Sequence, residues 1–339
     1  MPLRSQPLVS VITPVFNGEK YLTECIESVL NQTYVNWEYV IVNNRSTDQT
    51  LEIAQQYAAS DARIRIHNNN EFLSVMQNFN HAVRQMSPAS KYCKILCADD
   101  MLFPECLMQM VTVADANPTV GMVGAYMLQG DNVTCDGLSY PSAFISGREM
   151  CRLDLYTEGR SVFGSPTSTL IRADFIRNCE NFYNEAHLYA DREICYQILQ
   201  HADFGFAHQV LTFMREHDEQ QSSFVRRVSG FMTGKLYILK NYGRFYLTED
   251  EYSELLKFKL KAYYRFLGLN LLNHRDKEFW EYHKTELKKI GYPFSISKML
   301  KAAFPKLIDV LLAPKQAFEV LSRRAARYSK SKESSAAGR

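Results

Sequence analysis

The sequence predicts an α/β fold: a mainly parallel sheet flanked by helices, followed by a helical C-terminal extension. Three observations carry this. Short apolar, β-branched runs alternate with segments of helical periodicity up to about residue 127. Three of those runs end in the polar clusters TPVFNG, NNRSTD and ADD, at the strand ends where sheets of this kind bind ligands. Beyond residue 225 the chain turns to long helical stretches rich in Tyr, Phe, Leu and Lys, as in residues 254–272.

Residues 8–13 (LVSVIT) read as a buried first strand, punctuated by Pro14 and Gly18. Leu22, Ile26, Val29 and Leu30 give helical spacing over 19–31. Residues 37–42 (WEYVIV) form the second strand, and Ser46 or Thr47 is placed to cap a helix running to about 60. A third strand is expected at 63–67, a helix at about 75–86, and a fourth strand at 92–97 (YCKILC). Pro104 opens a helix to about 116, and 120–127 is a fifth strand. From 128 to 165 the glycines Gly130, Gly137, Gly147 and Gly159 mark loops. A strand at 167–172, a helix at 191–201 opened by Asp191, and extended chain at 203–214 complete the sheet region. The expected boundaries are a sheet-bearing domain at 1–225, a helical extension at 226–328, and a disordered tail at 329–339.

Composition narrows the function. The 339 residues are 46% hydrophobic and 22% charged, with net charge +2, which gives no case for a nucleic-acid partner. None of the eight cysteines forms a CxxC pair, so buried free thiols in a reducing compartment are expected rather than a disulfide framework or a zinc site. The N-terminus lacks a signal-peptide pattern, and no apolar run reaches the ~18–20 residues needed to span a bilayer. A cytoplasmic protein is expected, with a peripheral place on the inner face of the membrane left open.

Asp99 and Asp100 are the first chemical feature. Adjacent carboxylates at the end of an apolar strand are costly unless a cation meets them. Mg²⁺ or Mn²⁺ with carboxylates and phosphate oxygens fits this. A turn or cap before Pro104 fits the dipeptide equally well.

The context favours the metal. SVITPVFNGEKYLTECIESVLNQTYVNWEYVIVNNRSTDQT, followed by YCKILCADDMLFPECL, resembles the family 2 glycosyltransferases over roughly residues 8–223. The resemblance implies a GT-A-type, Rossmann-like fold. It implies an inverting enzyme that moves a sugar from a nucleoside-diphosphate sugar to an acceptor hydroxyl, in cell-surface polysaccharide or glycolipid synthesis. By the same resemblance Thr13, Pro14, Val15 and Phe16 form the first nucleotide-binding edge. Asn43 and Asn44 stand where the family usually places an acidic contact to the base. An amide can both donate and accept, so a UDP- and a dTDP-sugar both stay open. Asp48 supports the loop and helix start. Asp100 would ligate the metal, and Asp99 would meet the ribose or the metal's water shell. Asp191, in LYADREICYQIL, matches the catalytic base, although Ala190 replaces the usual preceding Glu and an N-cap role competes. In MREHDEQQSS, Arg215 would pair with phosphate, His217 would be a third metal ligand or a phosphate donor, and Gln220–Ser223 a flap. Ser165 and Pro166 fall where the family lines its acceptor pocket, for a saccharide or a lipid-linked acceptor.

Other functions fit less well. A nucleotidyltransferase would show a more glycine-rich and basic loop than PVFNGEK, and a dinucleotide dehydrogenase needs the GxGxxG that is missing here. A non-catalytic nucleotide-sugar-binding module is the remaining rival, given Asn43, Asn44 and Ala190. Residues 295–339 carry ten Lys or Arg against Asp309, Glu319 and Glu333. Within them Met299, Leu300, Ala303, Phe304, Leu307, Ile308, Leu311 and Leu312 form an apolar stripe. The stripe reads either as a packed helical extension or as a basic amphipathic helix on an anionic membrane, through 295–328.

Overall fold

The computed structural model of the chain describes residues 6–157, 162–217, 221–271, 273 and 275–312. The chain forms two compact units, Met1–Val225 with Asn241–Thr248, and Arg226–Lys240 with Glu249–Arg339.

The first unit opens with β1 (Val9–Val15), α1 (Leu22–Leu30), β2 (Trp37–Asn43), α2 (Thr50–Ser60), β3 (Ile64–Asn68), α3 (Val75–Val83) and β4 (Tyr92–Ile95). It continues through β5 (Met101–Leu102), α4 (Cys106–Ala116), β6 (Val120–Gln129), β7 (Asn132–Thr134), β8 (Phe144–Ile145) and α5 (Gly147–Tyr156). A 3-10 turn at Pro166–Ser168 leads into β9 (Thr169–Arg172), α6 (Ala173–Arg177), α7 (Ala190–Ile198) and β10 (Asp203–Met214). Among the described residues these strands make one sheet, in the order β3-β2-β1-β4-β9-β6-β10-β5, with β7 and β8 on its margins. β1 pairs in parallel with both β2 and β4, while β9 runs antiparallel between β4 and β6. The chain therefore builds outward from β1 to β3, then crosses to β4 on the other side of β1. That reversal opens a crevice beyond the carboxyl ends of β1 and β4.

The core lies under the sheet, where Val9, Val11, Leu22, Ile26, Tyr39, Leu107 and Met110 are buried. Each such side chain contributes roughly 1.5–3 kcal/mol on leaving water. The spacing of Leu22, Ile26 and Val29 makes one buried face of α1. α3 starts with a capping box, in which Ser74 and Gln77 serve each other's backbone donors.

Several expectations change. Residues 128–165 are not simply loops, because α5 occupies Gly147–Tyr156. Ser146 caps it by accepting from the Glu149 N–H, and Met150, Cys151 and Leu155 form its buried face. Gly147 reads as a loop marker but serves close packing: a Cβ there would sit 2.2 Å from the carbonyl oxygens of Leu199 and Ala202. Neither Ser46 nor Thr47 caps α2, since both are drawn to Asn17. Asp191 does not open its helix, because Ala190 is the first helical residue. The fourth strand, expected at 92–97, is shorter, at Tyr92–Ile95, and residues 167–168 belong to the 3-10 turn. All eight cysteines are free; Cys179 is exposed and Cys97 partly so.

The second unit contains α8 (Gln221–Arg227, from residue 226), most of α9 (Phe231–Tyr246), α10 (Glu249–Asn270), α11 (Lys277–Ile290) and α12 (Ile296–Leu312). Residues 241–246 of α9 belong to the first unit. The second core gathers Leu236, Tyr263, Leu267, Phe279, Leu287 and Met299. Gly268 lets α10 and α12 touch, since a Cβ there would lie 2.3 Å from the Met299 carbonyl oxygen and 2.8 Å from the Ala303 Cβ. The expected stripe on α12 is split. Met299 and Ala303 are buried, whereas Leu300 and Phe304 face outward with Ile296. Among the described residues no helix is long and apolar enough to cross a membrane. Residues 313–328 of the expected extension and the 329–339 tail lie outside the described residues, as do Gly159, the first residue of the 220–223 flap and the side chains of Leu307, Ile308, Leu311 and Leu312.

Candidate active site

The crevice begins with two loops that brace each other. Asn17 and Arg45 both adopt positive φ, 50° and 61°, which side chains other than Gly take only when the surroundings compensate. The compensation is a set of hydrogen bonds. The Asn17 N–H donates to Ser46 Oγ at 2.9 Å, and Asn17 Oδ1 accepts from the Thr47 N–H at 2.9 Å. Asp48 accepts from the Glu19 N–H at 3.0 Å and the Thr50 N–H at 3.1 Å. Burial pulls the Asp48 pKa up, but the bonds from Thr50 and Glu19 outweigh it and hold the carboxyl below its ordinary range. Asp48 thus braces the loops.

The first predicted edge is mostly interior. Thr13, Pro14 and Val15 are buried in β1, with Thr13 Oγ1 2.9 Å from the Tyr39 hydroxyl. Phe16 alone of the four faces solvent, 48% exposed. It meets Phe72, 61% exposed, edge to face with ring centroids 4.9 Å apart. Phe72 gave no signal in the sequence, because nothing local links it to strand one. Asn43 and Asn44 are buried and committed to the protein. Asn43 donates to Asn68 at 2.7 Å, and Asn44 donates to the Leu73 carbonyl at 2.8 Å and accepts from Asn69 at 3.0 Å.

Asp99 and Asp100 lie in the turn between β4 and β5, beside the end of β10. Asp100 is only 2% exposed. Its Oδ2 accepts from Thr167 Oγ1 at 2.6 Å, and its Oδ1 accepts from the Arg215 N–H at 3.2 Å. Lys94 holds the Thr167 turn in place: its buried ammonium donates to the Thr167 carbonyl at 2.6 Å and the Thr169 carbonyl at 3.2 Å. His217 Nε2 lies 3.0 Å from Asp99 Oδ2. Arg215 donates from Nε to the Asp99 carbonyl at 3.2 Å, pairs with Glu24 at 2.5 Å, and stacks 4.5 Å from the Tyr21 ring centroid. Asp99 thus meets His217 and stands beside Asp100, with Arg215 against both aspartates, while His217 falls outside the set whose potential ligand atoms lie within 4.8 Å of one another.

This group fits a hard divalent cation. Burial, then the neighbouring Asp99 charge, push the Asp100 pKa up to about 7 against the pull of Thr167 and Arg215. Such a carboxylate is short of positive charge. Cys97, Asp99 and Asp100 place potential ligand atoms within 4.8 Å of one another. Burial, then Asp100, hold the Cys97 thiol well above its ordinary pKa, so the donors at neutral pH are oxygens. Oxygen donors suit Mg²⁺ or Mn²⁺.

Asp191 stands in a second, narrow cleft with Gly164, Ser165, Pro166, Thr169 and Tyr183. Ser165 and Pro166 thus line the wall beside Asp191. The turn carrying Pro166 also carries Thr167, the partner of Asp100, so one short segment touches both carboxylates' surroundings. Burial raises the Asp191 pKa, opposed by the backbone N–H and the charge of Arg192. A neighbouring cavity of about 420 Å³ shares Ile194 with this cleft and is lined by Asn181, Asn184, Glu185 and Gln197 among others.

The family model described as glycosyl transferase family 2 matches residues 10–179. An uncharacterized glycosyltransferase of Haemophilus influenzae is 30% identical over 190 residues, covering 55% of this chain and 58% of its own. The putative teichuronic acid biosynthesis glycosyltransferase TuaG of Bacillus subtilis is 48% identical over 61 residues, covering 18% of this chain and 24% of its own. The chain thus spans less than two thirds of either relative. Among solved structures, S. aureus TarS 1–349 in complex with UDP-GlcNAc superposes with a TM-score of 0.61 at 19% identity, covering 83% of this chain and 80% of that one. At that identity the likeness shows the fold, a central sheet flanked by helices with a helical C-terminal region.

Proposed function

The chain belongs to glycosyl transferase family 2, and from that premise we propose that it transfers a sugar from a nucleoside-diphosphate sugar to an acceptor hydroxyl with inversion. One observation carries the reading: the turn at Pro166–Ser168 joins the buried Asp100 site to the cleft of Asp191. A donor diphosphate at the first and an acceptor hydroxyl reaching Asp191 from the neighbouring cavity would meet across that turn.

The residues divide the work. Asp100 and Asp99 would hold Mg²⁺ or Mn²⁺, with His217 as a further ligand or a phosphate donor. When bound, the metal would neutralise the diphosphate leaving group. Arg215, anchored by Glu24 and Asp99, would add a fixed positive charge beside it. Phe16 and Phe72, packed edge to face, would together offer the base one exposed aromatic surface, while Thr13, Pro14, Val15, Asn43 and Asn44 shape the strand ends that present them. Asp191 would take the proton of the acceptor hydroxyl as its oxygen attacks the anomeric carbon. The amides and carboxylate lining the 420 Å³ cavity suit a hydroxyl-rich saccharide acceptor. The UDP-GlcNAc bound by TarS and the polymer named for TuaG favour a UDP-sugar and cell-surface polysaccharide synthesis.

The test is a screen of UDP-, dTDP- and GDP-sugars with Mn²⁺ or Mg²⁺, scored by hydrolysis and by thermal shift. A donor at 100 times its Kd stabilises the folded state by about 2.7 kcal/mol. A UDP-sugar should raise the melting temperature only with metal present. No shift with any donor and either metal would sink the reading. Phe16→Ala and Phe72→Ala should each raise the donor KM about 10-fold with kcat nearly unchanged, since base stacking contributes ~1–3 kcal/mol. An unchanged KM in both variants removes them from the base site.

A second reading concerns the membrane. Ile296, Leu300 and Phe304 project from α12 at 57%, 48% and 60% exposure, with Lys298 and Lys301 alongside. An apolar row flanked by lysines fits an anionic lipid surface, which would place the protein on the inner face of the membrane. Leu300→Ser with Phe304→Ser should lower binding to phosphatidylglycerol vesicles by 10-fold or more without changing stability. Equal binding by the variant counts against the lipid surface.

A further inference from the structure

The α5 helix, absent from the sequence-based picture, brings a buried carboxylate to the residue beside Asp191. Asp154 is 1% exposed. Arg192 donates to it through Nε at 3.1 Å and through Nη2 at 2.6 and 2.5 Å, and the Tyr196 hydroxyl donates at 2.6 Å. The geometry is a bidentate clamp, closed by a third donor. Gly147 makes it reachable, because α5 can approach the end of α7 closely only without a Cβ at that position.

Arg192 is the immediate neighbour of Asp191, and its backbone N–H already donates to Asp191 Oδ1 at 2.8 Å. After Asp154 and Tyr196, the Asp191 charge also acts on the Arg192 guanidinium. An arginine paired to a base holds it ionised but makes it a poor acceptor of protons.

We propose that Asp154 is a positioning residue for the base: it holds the Arg192 guanidinium and neutralises it, leaving the Asp191 carboxylate free to accept a proton. The inference rests on reading Asp191 as the base. Other groups face Asp191 too. Cys195 lies on the same helix, with Sγ 3.2 Å from the Asp191 carbonyl, and Tyr183 shares the cleft. His187, from the preceding segment, adds a further charge interaction when protonated. Burial pulls the Arg192 pKa down, but Asp154 outweighs it and holds it above its ordinary value, so Arg192 stays charged throughout.

The sign of each substitution follows. Asp154→Asn leaves the arginine charge unopposed, so Asp191 should titrate lower by about one pH unit. Arg192→Gln removes that charge, so Asp191 should titrate higher. The double variant should return close to the wild type. The measurement is an NMR titration of carboxyl-¹³C aspartate in the full chain, with the Asp191 signal assigned from Asp191→Asn. It needs neither donor nor acceptor. Unmoved midpoints, or shifts of the same sign in both single variants, overturn the proposal. Should Asp154→Asn not fold, Arg192→Gln carries the test, because Asp154 keeps the Tyr196 hydroxyl as a partner. The base reading fails separately, if Asp191→Asn turns over normally.

Discussion

Asp100→Asn should abolish transfer and, in the metal-free protein at pH 8, raise the melting temperature. The loss follows from the several kcal/mol that a Lewis-acid metal contributes at a developing charge, so turnover should fall about 10³-fold or more. The gain in stability follows from burial. The Asp100 carboxyl titrates at about 7 in the folded chain against an ordinary 3.8. A raised folded pKa gives an acid a stabilising contribution that is complete below the unfolded value and lost as pH rises through the folded one. The metal-free wild type should therefore lose on the order of 2–4 kcal/mol between pH 4 and 8 from this group. Asparagine escapes that loss. It gives up one of the two acceptors now used by Thr167 and Arg215, so the net gain should be about 5 °C. At pH 4 the two proteins should melt together. Added Mn²⁺ should stabilise the wild type and leave the variant unchanged. Calorimetry at the two pH values decides it, and a variant less stable than the wild type at pH 8 would contradict the buried-charge argument.

Asp191→Asn should lower kcat by about 10²–10⁴-fold, the usual contribution of a positioned general base, while donor binding stays within twofold. The side chain keeps its shape, and the Arg192 N–H keeps its acceptor. The structure also removes the rival role, because Tyr189 is the cap residue of α7 and Asp191 lies within the first turn. A loss of activity can therefore not be laid to a missing cap. Single-turnover kinetics with a saturating UDP-sugar separates chemistry from binding. Near-normal turnover would remove Asp191 from the mechanism and require another group to take the acceptor's proton.

The sequence by itself determined the alternation of strands and helices, the polar strand ends and the order of TPVFN, STD and ADD. These are local: β-branched runs, helical spacing and turn residues act within about ten positions. That Asp99, Asp100, Arg215 and His217 stand just beyond strand ends was legible for the same reason, because each pair follows an apolar run. What stayed hidden depends on contacts between distant segments. Thr167 reaches Asp100 across 67 positions, and Lys94 sits inside an apolar strand only because the Thr167 and Thr169 carbonyls receive its ammonium. Asn43 and Asn44 read as ligand contacts, yet the fold buries both amides among Asn68, Asn69 and Leu73. The α5 helix was masked by the glycine that in fact lets it pack. Only the tertiary structure decided which polar side chains are buried and which partners they meet, because burial and partner geometry set that outcome and neither is a property of a residue's neighbours in sequence.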